Sequence, residues 1–309
     1  MSVTPVVKPP SGVTVFLEGP YWEVSTQSLL YVDMTGKTVH RWNAATNTDE
    51  VINLDIDEKT RPSLIVPRQS GGYIVTHGRT VSHLDWSSRN LTALANIDGV
   101  ESDVKVLFND GKCDSKGRLW AGTFPADVKD ISNLPPNQGF LVSIAEANVQ
   151  KQADKITLSN GMAWSADEKT LYFVDSIPRE ILAFDFDVNT GQLSNRRVAV
   201  AFPPDSKETL GMPDGLTIDT DGNLWVACIL VGKVACFDPQ SGKLLRTIQF
   251  PVKGTTSCCF GGENMDELYV TSGNSAVIND KADGEVPPGS VFRVTGLGVK
   301  GCPDHVYQN

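Results

Sequence analysis

The stretch SLLYVDMTGKTVHRW (residues 28–42) joins an apolar-aromatic run to a second alternating run through a short turn. Similar stretches recur five times: GGYIVTHGRTVSHLDW from residue 71, GRLWAGTF from 117, KTLYFVDSIPREILAFD from 169, GNLWVACILVGKVACFD from 222 and DELYVTSG from 266. Turn residues followed by runs of aromatic and β-branched residues are typical of strands. The chain is therefore a repeat of strand pairs.

The period of the repeat indicates the architecture. Its aromatic positions are 42 to 53 residues apart and comprise Tyr31, Tyr73, Trp120, Tyr172, Trp225 and Tyr269. That spacing is close to the length of a four-stranded propeller blade. Further alternating stretches lie between them, and helical periodicity is almost absent. We predict an all-β, six-bladed β-propeller with a central channel, formed by one domain over residues 1–309.

Composition narrows the classes of partner. The chain of 309 residues has 40% hydrophobic content and a net charge of −10, so a nucleic acid or an anionic membrane would be repelled. Its longest apolar run, LWVACILV at 224–231, is too short to span a bilayer, and MSVTPVVKPP at residues 1–10 does not resemble a signal peptide. We expect a small-molecule substrate and a cytoplasmic location, while the oligomeric state is not indicated.

Two further motifs favour structural roles. The six cysteines contain no C-x-x-C pair, which favours buried thiols over a zinc site or a disulfide framework. The stretch GLTIDTDGNLW (215–225) contains an acidic D-x-D-G run that partly resembles a calcium-binding loop. Its other ligand positions do not fit, and its flanks are β-like, so we predict a hairpin turn.

Polar residues followed by glycine recur near the starts of the repeats. They are Glu18 in FLEGPYW, Asn160 in LSNGMAWS, Asp214 in GMPDGLTI and Asn109 in LFNDGKCD, where Asp110 precedes the glycine. We expect the glycine to let the backbone turn tightly, so that the polar side chain projects into the channel. Carboxylate and amide oxygens suit Ca²⁺, Mg²⁺ or Mn²⁺ and tolerate Zn²⁺. Ordinary Asx turns are the alternative, although the equivalent repeat positions favour a site.

At these residues the sequence resembles the family of senescence marker protein (regucalcin), gluconolactonase and firefly luciferin-regenerating enzyme. The resemblance rests on FNDGKCDSKGRLWAGTF, SNGMAWSADEKTLYFVDS, MPDGLTIDTDGNLWVAC, TTSCCFGG, DELYVTS and FRVTGLGVKG, which occur in that order. It implies a six-bladed propeller that binds one divalent cation in its channel. It covers almost the whole chain.

The resemblance also implies roles for individual residues. Glu18, Asn160 and Asp214 would bind the cation, Asn109 and Asp110 would lie by the substrate, and Asp214 would be the general base of lactone hydrolysis. The implied function is a metal-dependent hydrolase of small lactones. The alternatives are a hydrolase of the luciferin-regenerating or organophosphate type, and a non-catalytic calcium-binding regulatory protein.

The sequence departs from the family pattern at the expected substrate side. Leu107 stands where sugar-lactone hydrolysing relatives often carry an arginine, whose hydrogen bonds an alkyl side chain cannot make. In TFPAD (123–127), Asp127 is a candidate for the polar contact with substrate, whereas Phe124 and Pro125 favour a more apolar mouth. These departures favour a less polar lactone or ester.

Overall fold

The structure is a computed structural model that describes residues 1–126, 133–280 and 285–308. The predicted propeller is confirmed: the strands form six sheets of four antiparallel strands each. The first strand of the chain is β1 (Ser2–Val7). Blade 1 then consists of β2 (Leu17–Glu23), β3 (Ser28–Asp33), β4 (Thr38–Asn43) and β5 (Thr48–Asn53).

Blades 2 to 4 follow in chain order. Blade 2 consists of β6 (Pro62–Pro67), β7 (Tyr73–His77), β8 (Thr80–Leu84) and β9 (Leu91–Asn96). Blade 3 consists of β10 (Val106–Cys113), β11 (Leu119–Pro125), β12 (Gly139–Ala145) and β13 (Asn148–Ile156). Blade 4 consists of β14 (Ser159–Trp164), β15 (Thr170–Asp175), β16 (Glu180–Asp187) and β17 (Gln192–Ala201).

The last two blades close the ring. A 3₁₀ turn (Pro204–Ser206) and the short helix α1 (Lys207–Leu210) lead into blade 5. That blade consists of β18 (Met212–Ile218), β19 (Leu224–Ile229), β20 (Lys233–Asp238) and β21 (Lys243–Gln249). Blade 6 consists of β22 (Thr255–Gly261), β23 (Glu267–Ser272) and β24 (Val291–Thr295), and β1 is its fourth strand. The first and last strands of the described chain therefore share one sheet.

The aromatic residues of the repeat all lie on the second strand of their blades. The most deeply buried of them, Tyr31, Trp120, Trp225 and Tyr269, are fully inaccessible to solvent. They contribute to hydrophobic clusters that extend from one blade to the next. Because burial of such side chains is the main stabilising term, the repeat positions both form the strands and hold neighbouring blades together.

The D-x-D-G stretch of blade 5 is the predicted turn. Oδ1 of Asp219 accepts hydrogen bonds from the backbone N–H groups of Asp221 (3.0 Å) and Asn223 (2.8 Å), and Oδ2 accepts one from the Trp225 indole (2.9 Å). This carboxylate therefore orders a turn and anchors an aromatic side chain. Within the described ranges, no helix is both long and apolar enough to cross a bilayer.

Six inner strands surround the channel, namely β2, β6, β10, β14, β18 and β22, and contact one another around the ring. Each has an interruption in its pairing with the second strand of its blade, close to the start of the inner strand. Such β-bulges turn a side chain out of the alternation of the sheet. The fold thus presents six equivalent positions around one channel.

Candidate functional site

Three of the predicted ligands occupy these bulges. The pairing is interrupted after Glu18 in β2, after Ser159 in β14 and after Pro213 in β18. Glu18, Asn160 and Asp214 are therefore equivalent positions in blades 1, 4 and 5, and all three are buried. The structure brings them to one ring, and their roles as cation ligands remain predictions.

The expected tight turn is found at Gly19 but not at Gly161 or Gly215, and Gly111 of the N-D-G motif also has no positive φ. Gly19 has a positive φ of 56° and does turn the backbone behind Glu18. Gly161 and Gly215 have ordinary φ values, and a Cβ at either position would overlap the next inner strand, at Leu216 and Ser257 respectively. They are required because adjacent inner strands approach each other too closely for a side chain.

The proposed substrate residues of blade 3 lie on β10. Nδ2 of Asn109 donates a hydrogen bond to the Ser159 carbonyl in the neighbouring blade (2.8 Å). Oδ1 of Asp110 accepts one from the N–H of Gly111 (2.7 Å). Both side chains are half-buried. The third proposed substrate residue, Asp127, lies outside the described residues.

Carboxylates of three different blades influence one another in the channel. Burial raises the pKa of Glu18 well above its usual value, and the charges of Asp214 and Asp110 raise it further. Burial and Asp110 likewise raise the pKa of Asp214, while a hydrogen bond with Asn160 lowers it. Without a counter-ion, this concentration of buried negative charge is unfavourable.

The donor set fits a hard cation. Oδ1 of Asn160 is buried and has no hydrogen-bond partner among the described residues, which is unusual for an amide oxygen. Two buried carboxylates lie near it, so the three residues together would supply oxygen ligands of the kind that Ca²⁺, Mg²⁺ and Mn²⁺ prefer. In the described part of the chain, no group of three or more His, Cys, Asp and Glu side chains could hold a metal ion. A cation here would therefore depend on the amide.

Two charged residues that the sequence did not single out form an ion pair beside the inner strands. Nζ of Lys112 forms an ion pair with Oδ1 of Asp304 (3.0 Å), and both side chains are 15% exposed. The hydroxyl of Tyr21 donates a hydrogen bond to the Asp304 carbonyl (3.0 Å). Burial alone would lower the pKa of Lys112, but Asp304 raises it above its ordinary value. Lys112 follows the predicted N-D-G motif, which was a usable signal, whereas Asp304 belongs to no motif.

A small cavity of about 20 Å³ lies between these groups, enough for about one water molecule. Its lining includes Asp110, Lys112 and Asp304 together with apolar residues of the inner strands. Burial raises the pKa of Asp110 to about 6, against the opposing effects of the Gly111 N–H and Lys112. The channel therefore has a small polar cavity that is lined in part by the proposed substrate residue Asp110.

Comparison with known proteins identifies the family of the chain and several similar proteins. A family profile described as SMP-30/Gluconolactonase/LRE-like region matches residues 16–274. Regucalcin of Danio rerio is 40% identical over 296 residues, and regucalcin of Homo sapiens is 39% identical over 291, with 94% of each chain covered in both cases.

Solved structures agree with this assignment. A structure of luciferin-regenerating enzyme matches with a TM-score of 0.85 and 32% identity, over 99% of this chain and all of the other. A calcium-binding regucalcin from Agrobacterium tumefaciens matches with a TM-score of 0.84 and 22% identity, over 100% of this chain and 98% of that one. At that identity, the second match shows the fold alone.

Proposed function

Because the chain belongs to the SMP-30/gluconolactonase/LRE-like family, we propose that it hydrolyses small lactones and depends on one divalent cation. The observation that carries the proposal is the unpartnered, buried Oδ1 of Asn160 beside two buried carboxylates. A structure from Xanthomonas campestris described as a gluconolactonase shares the fold, with a TM-score of 0.67 and 22% identity over 94% of this chain and 88% of the other.

Glu18, Asn160 and Asp214 would hold the cation. When bound, it would polarise the lactone carbonyl and stabilise the negative charge that develops there. Asp214 would accept a proton from the attacking water. Because a bound cation would lower the pKa of a carboxylate that it contacts, it would also have to make that water more acidic. Asn109 and Asp110 would orient the substrate from the neighbouring blade. Water adds to the lactone to give a hydroxy acid, which at neutral pH ionises to its carboxylate and one released proton.

The mouth beside this site favours an apolar lactone or ester over a sugar lactone. Leu107 and Phe124 are cross-strand partners at the start of β10 and the end of β11, and both are half-buried. Leu107 lies two residues before Asn109, so an apolar surface adjoins the proposed substrate residues. An alkyl and an aryl side chain cannot donate hydrogen bonds to sugar hydroxyls. They would bind a flat or alkyl ring instead.

Proton release tests the proposal. Chelator-stripped protein would be assayed with glucono-δ-lactone, alkyl γ-lactones and an aryl ester, and Ca²⁺, Mg²⁺, Mn²⁺ and Zn²⁺ would be added back singly. We expect turnover only with a cation, and faster hydrolysis of the less polar substrates. Asp214→Asn should lose cation binding and turnover while the cation-free protein stays folded, whereas Asp205→Asn, at an exposed position, should behave as wild type. Full turnover by Asp214→Asn would refute the site assignment.

A further inference from the structure

Ser176 is a buried residue that the proposed chemistry does not use, yet it contacts a candidate ligand. Its Oγ accepts a hydrogen bond of 3.1 Å from Nδ2 of Asn160. The amide of Asn160 has one donor end and one acceptor end, and only the acceptor end can bind a cation. Nδ2 is held by Ser176 and also faces Asp214, so Oδ1 is the end that has no partner in the described part of the chain.

Ser176 is itself held in place by backbone contacts. The preceding residue, Asp175, accepts hydrogen bonds from the N–H groups of Thr157 (3.0 Å) and Leu158 (2.9 Å). The N–H of Ser176 donates to the carbonyl of Leu158 (3.0 Å). The end of β15 is thus tied to the segment that enters β14, just before Asn160. The hydroxyl is therefore rigidly placed relative to the amide that it contacts.

Blade 1 has the same backbone arrangement without the hydroxyl. Asp33 accepts a hydrogen bond from the N–H of Phe16 (3.0 Å), and the N–H of Met34 donates to the Phe16 carbonyl (2.9 Å). Met34 therefore stands where blade 4 has Ser176. The candidate ligand of blade 1 is Glu18, whose ionised carboxylate has two acceptor oxygens and needs no orientation.

Blade 5 also combines a carboxylate ligand with a side chain that has no hydroxyl. The strand pairing aligns Ser159 with Asp175 in blade 4 and Pro213 with Cys228 in blade 5. The position equivalent to Ser176 is therefore Ile229, which cannot accept a hydrogen bond. Its ligand is Asp214, again a carboxylate. Among these three blades, the hydroxyl occurs only where the ligand is an amide.

We propose that Ser176 is a positioning residue that orients the Asn160 amide so that Oδ1 faces a divalent cation in the channel. The inference rests on the proposed function, because it requires that cation. Nδ2 also faces Asp214, whose pKa its hydrogen bond lowers, so without the hydroxyl only that one contact holds the amide in its present orientation. Loss of a partner that orients a metal ligand typically weakens metal binding 10-fold to 100-fold, and we expect about 10-fold for a neutral hydroxyl.

Calorimetric titration of chelator-stripped proteins with Ca²⁺, Mg²⁺, Mn²⁺ or Zn²⁺ tests this role without any substrate. The variants are Ser176→Ala, Asn160→Ala and their combination. Ser82→Ala is the matched control, because Ser82 is equally buried and its Oγ contacts Nε2 of His77 (2.9 Å) in blade 2. We expect the Kd to rise about 10-fold in Ser176→Ala and to stay unchanged in Ser82→Ala. On the Asn160→Ala background, Ser176→Ala should add no further loss.

Thermal midpoints of the cation-free variants separate positioning from stability. A purely structural serine would lower the midpoint while leaving the Kd unchanged, and that result would overturn the proposal. Wild-type affinity in Ser176→Ala, or an equal loss on the Asn160→Ala background, would do the same. If the wild-type protein binds none of the four cations, the proposed function fails as well, so the two failures are distinguishable.

Discussion

The carboxyl of Asp110 should make the cation-free protein less stable at neutral pH than under mildly acidic conditions. Burial raises its pKa from 3.8 to about 6 in the folded protein, whereas the unfolded chain restores the lower value. Between these two pH values, the folded protein binds a proton that the unfolded chain does not. The unfolding free energy therefore falls as pH rises through this window and stays low above it.

The pKa values set the size of the effect. A change from 3.8 to about 6 corresponds to about 3 kcal/mol of unfolding free energy as an upper limit. Since the side chain is only half-buried, solvent screening reduces this, and we expect about 1 to 3 kcal/mol. Asp110→Asn removes the titrating group. At pH 7.5 its thermal midpoint should rise by about 2 to 5 °C, and the gain should vanish near pH 4.

Urea unfolding in the presence of a chelator, at intervals between pH 4 and pH 8, measures this difference. Asp205→Asn removes an exposed carboxylate and serves as the control for lost surface charge. The reasoning is refuted if Asp110→Asn is no more stable than wild type at pH 7.5. It is equally refuted if the gain is the same at pH 4, since a pH-independent gain would come from packing and not from titration.

Three further perturbations have defined outcomes. Lys112→Met leaves the Asp304 carboxylate without its ion-pair partner, so we expect urea unfolding to show a free energy of unfolding that is lower by about 2 to 4 kcal/mol. Most of this loss should be recovered in Lys112→Met/Asp304→Asn, and additive losses in the double variant would contradict a direct pair. Gly215→Ala should lower the free energy of unfolding by more than about 3 kcal/mol, because the added Cβ overlaps the next inner strand. Gly222→Ala, at a position with open space but a positive φ, should lower it by about 1 kcal/mol. Of the six cysteines only Cys302 is exposed, so an aromatic disulfide reagent should label one thiol in the native protein and six in denaturant; faster labelling of a second thiol would contradict the burial of the other five.

Local patterns predicted the blades but not the closure of the ring. Each repeat could be recognised by an aromatic residue on the second strand, such as Trp120 and Trp225, because that residue is buried in every blade. The fourth strand of blade 6 is β1, which pairs with β24 nearly three hundred residues away. It carries no repeat signature. Pairing over such a separation depends on the completed ring and is not encoded in local periodicity.

Prediction from local sequence patterns also failed for the ion pair between Lys112 and Asp304. Glu18, Asn160 and Asp214 could be found from sequence because each precedes a glycine at an equivalent point of the repeat. Asp304 could not, because it follows the last blade and meets Lys112 only after the chain has crossed the propeller. Interactions between a repeat and a non-repeated segment have no periodic signal to reveal them.

Comparison of the repeats with one another contains more information than their shared pattern. The second strands of blades 1 and 4 both end in Val-Asp, and the residues that follow them, Met34 and Ser176, are equivalent. The inner strands of the same blades differ at Glu18 and Asn160. Blade 4 thus has an amide where blade 1 has a carboxylate, and a hydroxyl where blade 1 has a thioether. Of the two candidate ligands, only the amide requires orientation. The backbone contacts of both blades are the same, so the difference in side chains supports the role proposed for Ser176. Within one chain, the blades serve as controls for each other.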